Sequence, residues 1–238
     1  MKSLVMVVAL VLVSSSAFGV TLFSDDFESG NLDQWEAFER DGYPMAELTN
    51  VQSHSGSSSI QFVQLNQRIG YEFPDHMTDV DVSFWLYDNA DMGSYFVGAV
   101  LGNLMWKNPA IGLGVTNVDV NYTVSSTSGQ YDTGVPRSLG WHKVLIQVRP
   151  EGSILSIGDE NSFQYSSPID SATNTLKIIY FSEPNYDSGH GTFYIDDILV
   201  TDLGGPDPPG GHTPDPIPEP AALSLFGIGL LCVRRRRR

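Results

Sequence analysis

Hydrophobic residues between positions 20 and 202 occur in short runs that alternate with polar residues or are continuously apolar. Such runs predict β-strands, because no segment here repeats apolar residues at helical spacing. Clusters of turn residues separate the runs, among them SHSGS, SSTSGQYDTG and SEPNYDSGHG. Strands are expected over residues 58–65, 80–87, 95–101, 111–115, 119–125, 142–148, 154–157, 176–181 and 193–200. Nine or more strands without crossover helices predict an all-β fold, an antiparallel β-sandwich.

Alternation assigns faces within two of these strands. The positions expected to point inward are apolar: Val82, Phe84, Leu86, Val144, Ile146 and Val148. Trp85 and Tyr87 then lie two residues apart on the less buried face of the strand over 80–87. Trp35 and Trp141 are expected to plug the edges of the core. The alternation therefore predicts an aromatic pair that faces outward, or that packs beneath a loop or a covering strand.

The first 19 residues have the composition of a secretory signal peptide. Lys2 precedes an apolar run from Leu4 to Val13, and Ala17 and Gly19 stand three and one places before an expected cut ahead of Val20. We therefore expect residues 1–19 to be removed on export and residues 20–202 to form the folded domain. Cys232 is the one cysteine, so neither disulfides nor a cysteine zinc site is expected to hold this domain together.

The last 36 residues contain a linker and a short apolar tail. Residues 203–217 are rich in Gly and Pro and predict an extended linker. Ala221 to Val233 are apolar or small, and about 20 Å of helix is short of the roughly 30 Å of a bilayer's hydrocarbon core. A cluster of arginines follows, expected to stay cytoplasmic: Arg234, Arg235, Arg236, Arg237 and Arg238. This tail is expected to engage the inner membrane as a processing handle more than as a permanent anchor.

Pro218-Glu219-Pro220, the apolar stretch and the arginine cluster closely resemble the PEP-CTERM sorting signal of Gram-negative bacteria, over residues 218–238. The resemblance implies recognition by an exosortase, a membrane transpeptidase that cuts near the Pro-Glu-Pro step. It also implies a destination in the cell envelope, at the cell surface or in the extracellular matrix.

Acidic residues dominate the chain between the two ends. Seven Lys and Arg face 27 Asp and Glu from Val20 to Pro218, a net charge of about −20. Such a surface repels nucleic acid and anionic lipid, so nucleic-acid binding is excluded.

The phrases SDDFESGNLDQW, SHSGSSSIQF, GWHKVLIQVRPEGSILSIGD and GTFYIDDILVTD resemble, in this order, concanavalin-A-like (laminin-G-like) jelly-roll domains. Galactose-binding-like carbohydrate-binding modules are a second resemblance. Both imply a jelly roll that binds glycans or serves adhesion.

Carboxylates at the two ends of the domain form a first candidate site. Asp25, Asp26 and Glu28 open the domain, and Asp196 and Asp197 lie in the last predicted strand. In these jelly rolls the first and last strands lie side by side, which would bring the carboxylates together. Carboxylate oxygens suit Ca²⁺, so we expect a structural calcium held by Glu28 and Asp197, with Asp26 as a further ligand. The alternative is that these acids face solvent and decorate a turn.

Aromatic residues form a second candidate site, for glycans, because sugar C–H groups stack on ring faces. The candidates are Trp85, Tyr87, Trp106 and Tyr186, the last in the loop SEPNYDSGHG. No catalytic motif accompanies them: the Glu-x-Asp-x-x-Glu spacing of jelly-roll glucanases is missing from the sequence. The sequence therefore favours a non-catalytic, polysaccharide-binding protein of the cell surface. The alternatives are a structural matrix protein without a discrete ligand and a glycan-active enzyme with an unrecognised site.

Overall fold

The computed structural model describes residues 19–36, 44–64, 67–90, 95–101, 110–115, 120–126, 129–158, 164–167, 175–182 and 192–204. Within these ranges the chain contains strands and no helix, which confirms the all-β prediction. The strands are β1 (Val20–Asp25), β2 (Glu47–Thr49), β3 (Ser59–Phe62), β4 (Arg68–Met77), β5 (Val80–Asp88), β6 (Tyr95–Leu101), β7 (Ala110–Val115), β8 (Asn121–Ser126), β9 (Gly129–Pro136), β10 (Gly140–Arg149), β11 (Gly152–Ile157), β12 (Gln164–Ser167), β13 (Leu176–Ser182) and β14 (Phe193–Asp202).

The chain divides into two units, Met1–Gly205 and Pro206–Arg238. The second unit and the expected signal peptide up to residue 18 lie outside the described residues. In the part of the chain that the structure describes, no helix is long and apolar enough to cross a membrane.

Two antiparallel sheets make up the first unit. The larger sheet has the order β12-β11-β10-β5-β14-β3-β2, with β1 added beside β14. The smaller sheet has the order β4-β13-β6-β7-β8-β9. The predicted inward positions of β5 and β10 are all fully buried, whereas their neighbours along each strand are half-buried or exposed. Phe84 of the larger sheet meets Phe181 of the smaller sheet edge to face, with ring centroids 5.1 Å apart. The core therefore lies between the two sheets.

Strand β14 changes partner halfway along its length. Phe193–Ile195 pair with β3, and Ile198–Asp202 pair with β1. Between these segments the pairing with β5 shifts register, and Asp197 adopts a positive φ of 48°. The bulge re-aims the side chains of Asp196 and Asp197 into the gap between β3 and β1. The expected neighbourhood of the first and last strands is thus confirmed.

Two strands show where the hydrophobic pattern failed: one lies in a segment predicted to be a turn, and the other was not predicted. The turn expected over residues 125–134 is wrong, because β8 and β9 pair there as a hairpin. Their sequence, NYTVSS and GQYDTGVP, is mostly small and polar, and only Tyr122 and Val124 are buried among the described side chains. Strand β4 contains Pro74 and four charged or ionisable residues, which a central strand would not tolerate, but it lies at a sheet edge.

Candidate functional site

Aromatic side chains cluster on the outer face of the larger sheet. The backbone register places Trp141 of β10 and Tyr194 of β14 on either side of Tyr87 of β5. Tyr87 meets both rings edge to face, with centroids 5.4 Å from Trp141 and 5.6 Å from Tyr194. Burial, and then the neighbouring Tyr87, raises the pKa of Tyr194. Trp141 thus lies outside the sandwich, and its predicted position at the core edge is wrong. Trp35 is buried in the core, as predicted.

A loop over residues 52–58 fills the gap between β3 and β1. The backbone N–H groups of His54 and Ser55 donate to Oδ2 of Asp196, at 2.7 and 3.2 Å. Nδ1 of His54 lies 2.5 Å from Oδ2 of Asp197, and the Ser55 hydroxyl donates to Oδ1 of Asp197 at 2.6 Å. The His54 ring stacks on Trp85, with centroids 3.7 Å apart and 13° between the planes. The loop therefore binds β14 and covers one face of Trp85.

Asp196 is fully buried beneath this loop. Burial raises the pKa of Asp196, while hydrogen bonds from the backbone of His54, Asp197 and Ser55 lower it by a smaller amount. The Asp197 backbone N–H donates to Oδ1 of Asp196 at 2.8 Å, so both carboxylate oxygens are used. A buried acid that accepts three N–H groups is a structural clamp for the loop.

Glu28 holds the other end of the same loop. Its carboxylate accepts the N–H of Ser57 at 2.8 Å, the hydroxyl of Ser57 at 2.9 Å and the N–H of Ser58 at 2.7 Å. The N–H of Ser57, with the other donors, lowers the pKa of Glu28. Gly56 has a φ of +57°, and an added Cβ would lie 2.5 Å from Oε1 of Glu28. Its conformation favours glycine, and a larger residue would also push the Glu28 carboxylate away from its hydrogen bonds with Ser57 and Ser58.

Asp25 fixes the opening turn of the domain. It accepts the N–H of Phe27 at 2.8 Å, the side-chain amide of Gln34 at 2.6 Å and the indole N–H of Trp35 at 2.7 Å. Asp26 is exposed and accepts the N–H of Glu28 at 3.2 Å. Asp25 therefore serves the fold, while Asp26 presents its carboxylate to solvent.

An open cleft of about 530 Å³ lies beside Trp85 on the outer face of the larger sheet. Its lining combines the half-buried Trp85 with Lys143, directly paired to it in register on β10, and with the exposed apolar side chain of Leu199. The other polar and acidic side chains of the lining come from three strands and the opening turn: Ser24, Asp25, Asp26, Ser29, Gln34, Ser83 and Asp197. The cleft thus joins an aromatic wall to hydrogen-bond donors and acceptors, and we take it as the candidate functional site.

The expected calcium ligands Glu28 and Asp197 contact different parts of the loop over residues 52–58. The carboxylate of Glu28 accepts hydrogen bonds from Ser57 and Ser58, whereas the carboxylate of Asp197 is hydrogen-bonded to His54 and Ser55. Among the residues that the structure describes, no group of three or more His, Cys, Asp or Glu is arranged to hold a metal ion. In this arrangement both carboxylates accept hydrogen bonds from the loop, and each would have to exchange some of these bonds to bind a calcium ion. The calcium site stays a prediction.

Of the predicted glycan contacts, Trp85 lines the cleft and Tyr87 lies in the aromatic cluster beside it. Trp106, Tyr186 and the whole sorting segment lie outside the described residues. The sequence pattern missed His54, Lys143 and Tyr194. A signal for Lys143 was present, because β-strand alternation places it on the same outer face as Trp85.

Three solved structures share the fold. A cellulose-induced protein, Cip1, has a TM-score of 0.52 at 16% identity, covering 75% of this chain and 96% of its own. A Crh5 transglycosylase has a TM-score of 0.52 at 11% identity, and the match covers 76% of this chain and 84% of the transglycosylase chain. A Bacteroides ovatus mixed-linkage-glucan GH16 protein, solved with a G4G4G3G product, has a TM-score of 0.53 at 11% identity, covering 75% and 99%. At these identities the likeness shows the fold alone. A search of curated proteins finds no match to this sequence.

The fold therefore defines the class of the domain as an antiparallel β-sandwich, similar in architecture to these three structures. Residues 216–238 match the PEP-CTERM protein-sorting motif. The chain thus carries a C-terminal sorting signal that indicates an exported, envelope-associated protein and implies exosortase processing.

Proposed function

We propose that the protein is a non-catalytic carbohydrate-binding protein, which its C-terminal signal delivers to the cell surface or extracellular matrix. The observation that carries this proposal is the cleft beside Trp85. An indole wall offers a surface for the C–H groups of a sugar ring. Lys143, Gln34 and Asp26 offer polar partners for its hydroxyl groups. The cleft's 530 Å³ lies within the range of small-molecule sites.

One observation favours the second candidate function, a structural matrix protein without a discrete ligand. The His54 ring covers one face of Trp85. A sugar in the cleft must therefore use the remaining exposed surface of the indole or displace the histidine. In the structural alternative, the stack between His54 and Trp85 only fastens the loop to the sheet.

Binding to a glycan array separates these two functions. The purified full-length chain is applied as wild type, as W85A and as Y131A. Tyr131 is an exposed aromatic residue on β9 of the other sheet, so Y131A is a matched control. We expect selective binding by the wild type and by Y131A. W85A should lose about tenfold or more in affinity, about 1.4 kcal/mol, because it removes the aromatic surface that the sugar ring contacts.

Folding of each variant is checked by circular dichroism. A folded wild type that binds no glycan on a broad array contradicts the carbohydrate proposal and leaves the structural one. Equal binding by W85A and the wild type would move the binding site away from the cleft.

We further propose that a signal peptide over residues 1–19 directs export across the inner membrane of a Gram-negative bacterium. An exosortase then cuts near Pro218-Glu219-Pro220, with the arginine cluster on the cytoplasmic side. Replacing these three residues with alanine should leave the protein unprocessed and membrane-retained in its host, as measured by immunoblot of membrane and released fractions. Normal release of the triple variant contradicts this part of the proposal.

A further inference from the structure

We infer that the cleft beside Trp85 takes an uncharged glycan and discriminates against glycans that carry carboxylate groups. This inference rests on the proposed function and deepens it, because it names the chemical class of the ligand.

The charges that line the cleft have an acidic balance. Among the lining residues that the structure describes, Asp25, Asp26 and Asp197 are negatively charged and Lys143 is positively charged, which gives a formal charge of −2. The whole chain adds a net charge of −15. A carboxylate-bearing sugar that enters the cleft therefore meets negative charge nearby and an acidic protein behind it.

Hydrogen bonding inside the cleft does not remove this charge. Asp25 accepts only neutral donors, namely a backbone N–H, the Gln34 amide and the Trp35 indole. Asp26 accepts one backbone N–H and is exposed. Neutral donors stabilise a carboxylate in its ionised form, so its charge remains available to repel an anion. Of these three aspartates, Asp197 alone has an ionisable partner among the described residues, namely His54.

The same groups suit an uncharged sugar. A carboxylate such as Asp26 accepts hydrogen bonds from sugar hydroxyl groups, and an ammonium group donates to sugar oxygens. Lys143 is exposed and makes no salt bridge among the described residues. Arg137, Arg149 and Lys177 each pair with a carboxylate instead. The Lys143 ammonium group is therefore available to a ligand, but alone it does not outweigh three aspartates.

The test compares two sets of probes by titration calorimetry on the full-length chain at low salt. One set contains neutral gluco-, manno- and xylo-oligosaccharides, and the other contains oligogalacturonates of matched length. The variants are D26K, which changes the charge of the cleft by two units, and D75K. Asp75 is exposed on β4 of the other sheet, so D75K makes the same change in net charge at a distance.

We expect the wild type to bind at least one neutral probe and to bind oligogalacturonate about tenfold or more weakly. D26K should narrow this ratio at least severalfold, and D75K should leave it close to the wild-type value. Wild-type binding to oligogalacturonate that equals or exceeds neutral binding overturns the inference but leaves carbohydrate binding intact. Binding to neither set overturns the inference together with the proposed function. Equal effects of D26K and D75K overturn the role of the cleft's own charge.

Discussion

The ion pair between Asp88 and Arg137 joins the two sheets, and its removal gives the sharpest stability prediction. Asp88 ends β5 of the larger sheet, and Arg137 directly follows β9 of the smaller sheet. The guanidinium donates through Nε to Oδ2 at 3.0 Å and through Nη2 to Oδ1 at 2.8 Å. The side chains are only 1% and 7% exposed. Burial, and then the Asp88 charge, raises the pKa of Tyr122 beside them.

The variant R137M should lower the free energy of unfolding by about 3–5 kcal/mol, because it leaves a buried carboxylate without its cation. For a domain of this size that corresponds to a fall in Tm of roughly 10 °C or more. The double variant D88N/R137M should recover more than half of this loss, since it also removes the uncompensated charge. Recovery distinguishes the cost of a buried charge from the cost of lost packing around Arg137.

Urea denaturation of the wild type and the variants measures these free energies. The matched control is R149M, because Arg149 forms an ion pair with Asp81 whose side chains are 17% and 27% exposed. We expect R149M to cost about 1–2 kcal/mol, because its ion pair is more exposed but Arg149 also donates to the backbone carbonyls of Val80 and Val148. A loss in R137M as small as that in R149M would refute the reasoning. So would a double variant that is no more stable than R137M, because the charge of Asp88 without the Arg137 cation would then not be the cause.

Three further predictions concern the loop over residues 52–58 and the acids around it. G56A should lower the free energy of unfolding, measured by urea denaturation, by about 1–3 kcal/mol more than G134A. Both glycines have positive φ, but only an added Cβ at Gly56 meets Glu28. Equal losses in the two variants would contradict the tight contact. If Glu28 and Asp197 bind structural calcium, Tm should rise between EDTA and excess calcium, and an unchanged Tm would end that hypothesis. Because burial raises the folded-state pKa of Asp196, the folded state binds this proton more tightly, so wild-type stability relative to D196N should fall as pH rises from about 4 through that pKa. If the stability of the wild type minus that of D196N stays constant or rises between pH 4 and 7, the inference that the pKa of Asp196 is raised is wrong.

Hydrophobic alternation predicted the strands that face the core on one side. In β5 and β10 the predicted inward residues are all aliphatic or aromatic, and their burial leaves one register possible. Asp88, at the end of β5, is a buried charged residue that the pattern did not single out. Hydrophobic alternation did not predict β9, whose sequence GQYDTGVP has no clear alternation of apolar residues. It did not predict β4 either, because Pro74 argues against a strand except at a sheet edge, where β4 lies. These strands form because neighbouring strands supply backbone hydrogen bonds. Local sequence does not carry that information.

The outward placement of Trp85 and Tyr87 followed from the same alternation, but their surroundings did not. His54 stacks on Trp85 from 31 residues away along the chain, and Trp141 reaches Tyr87 from a neighbouring strand. Such contacts depend on strand order and on a loop conformation. A pattern along one strand therefore identifies an outward aromatic residue but not whether a partner covers it.

The acids of the last strand show how one pattern supports two chemistries. Adjacent carboxylates require either a cation or hydrogen-bond donors, and the sequence alone left open whether these acids bind a cation. The described structure supplies hydrogen-bond donors instead. The bulge at Asp197 turns Asp196 and Asp197 toward the loop over residues 52–58, whose backbone N–H groups at His54 and Ser55 donate to Asp196. The same loop carries His54 onto Trp85. Asp196 therefore fixes the shape of the candidate glycan cleft without lining it, so D196N should weaken glycan binding only to the extent that the loop loosens.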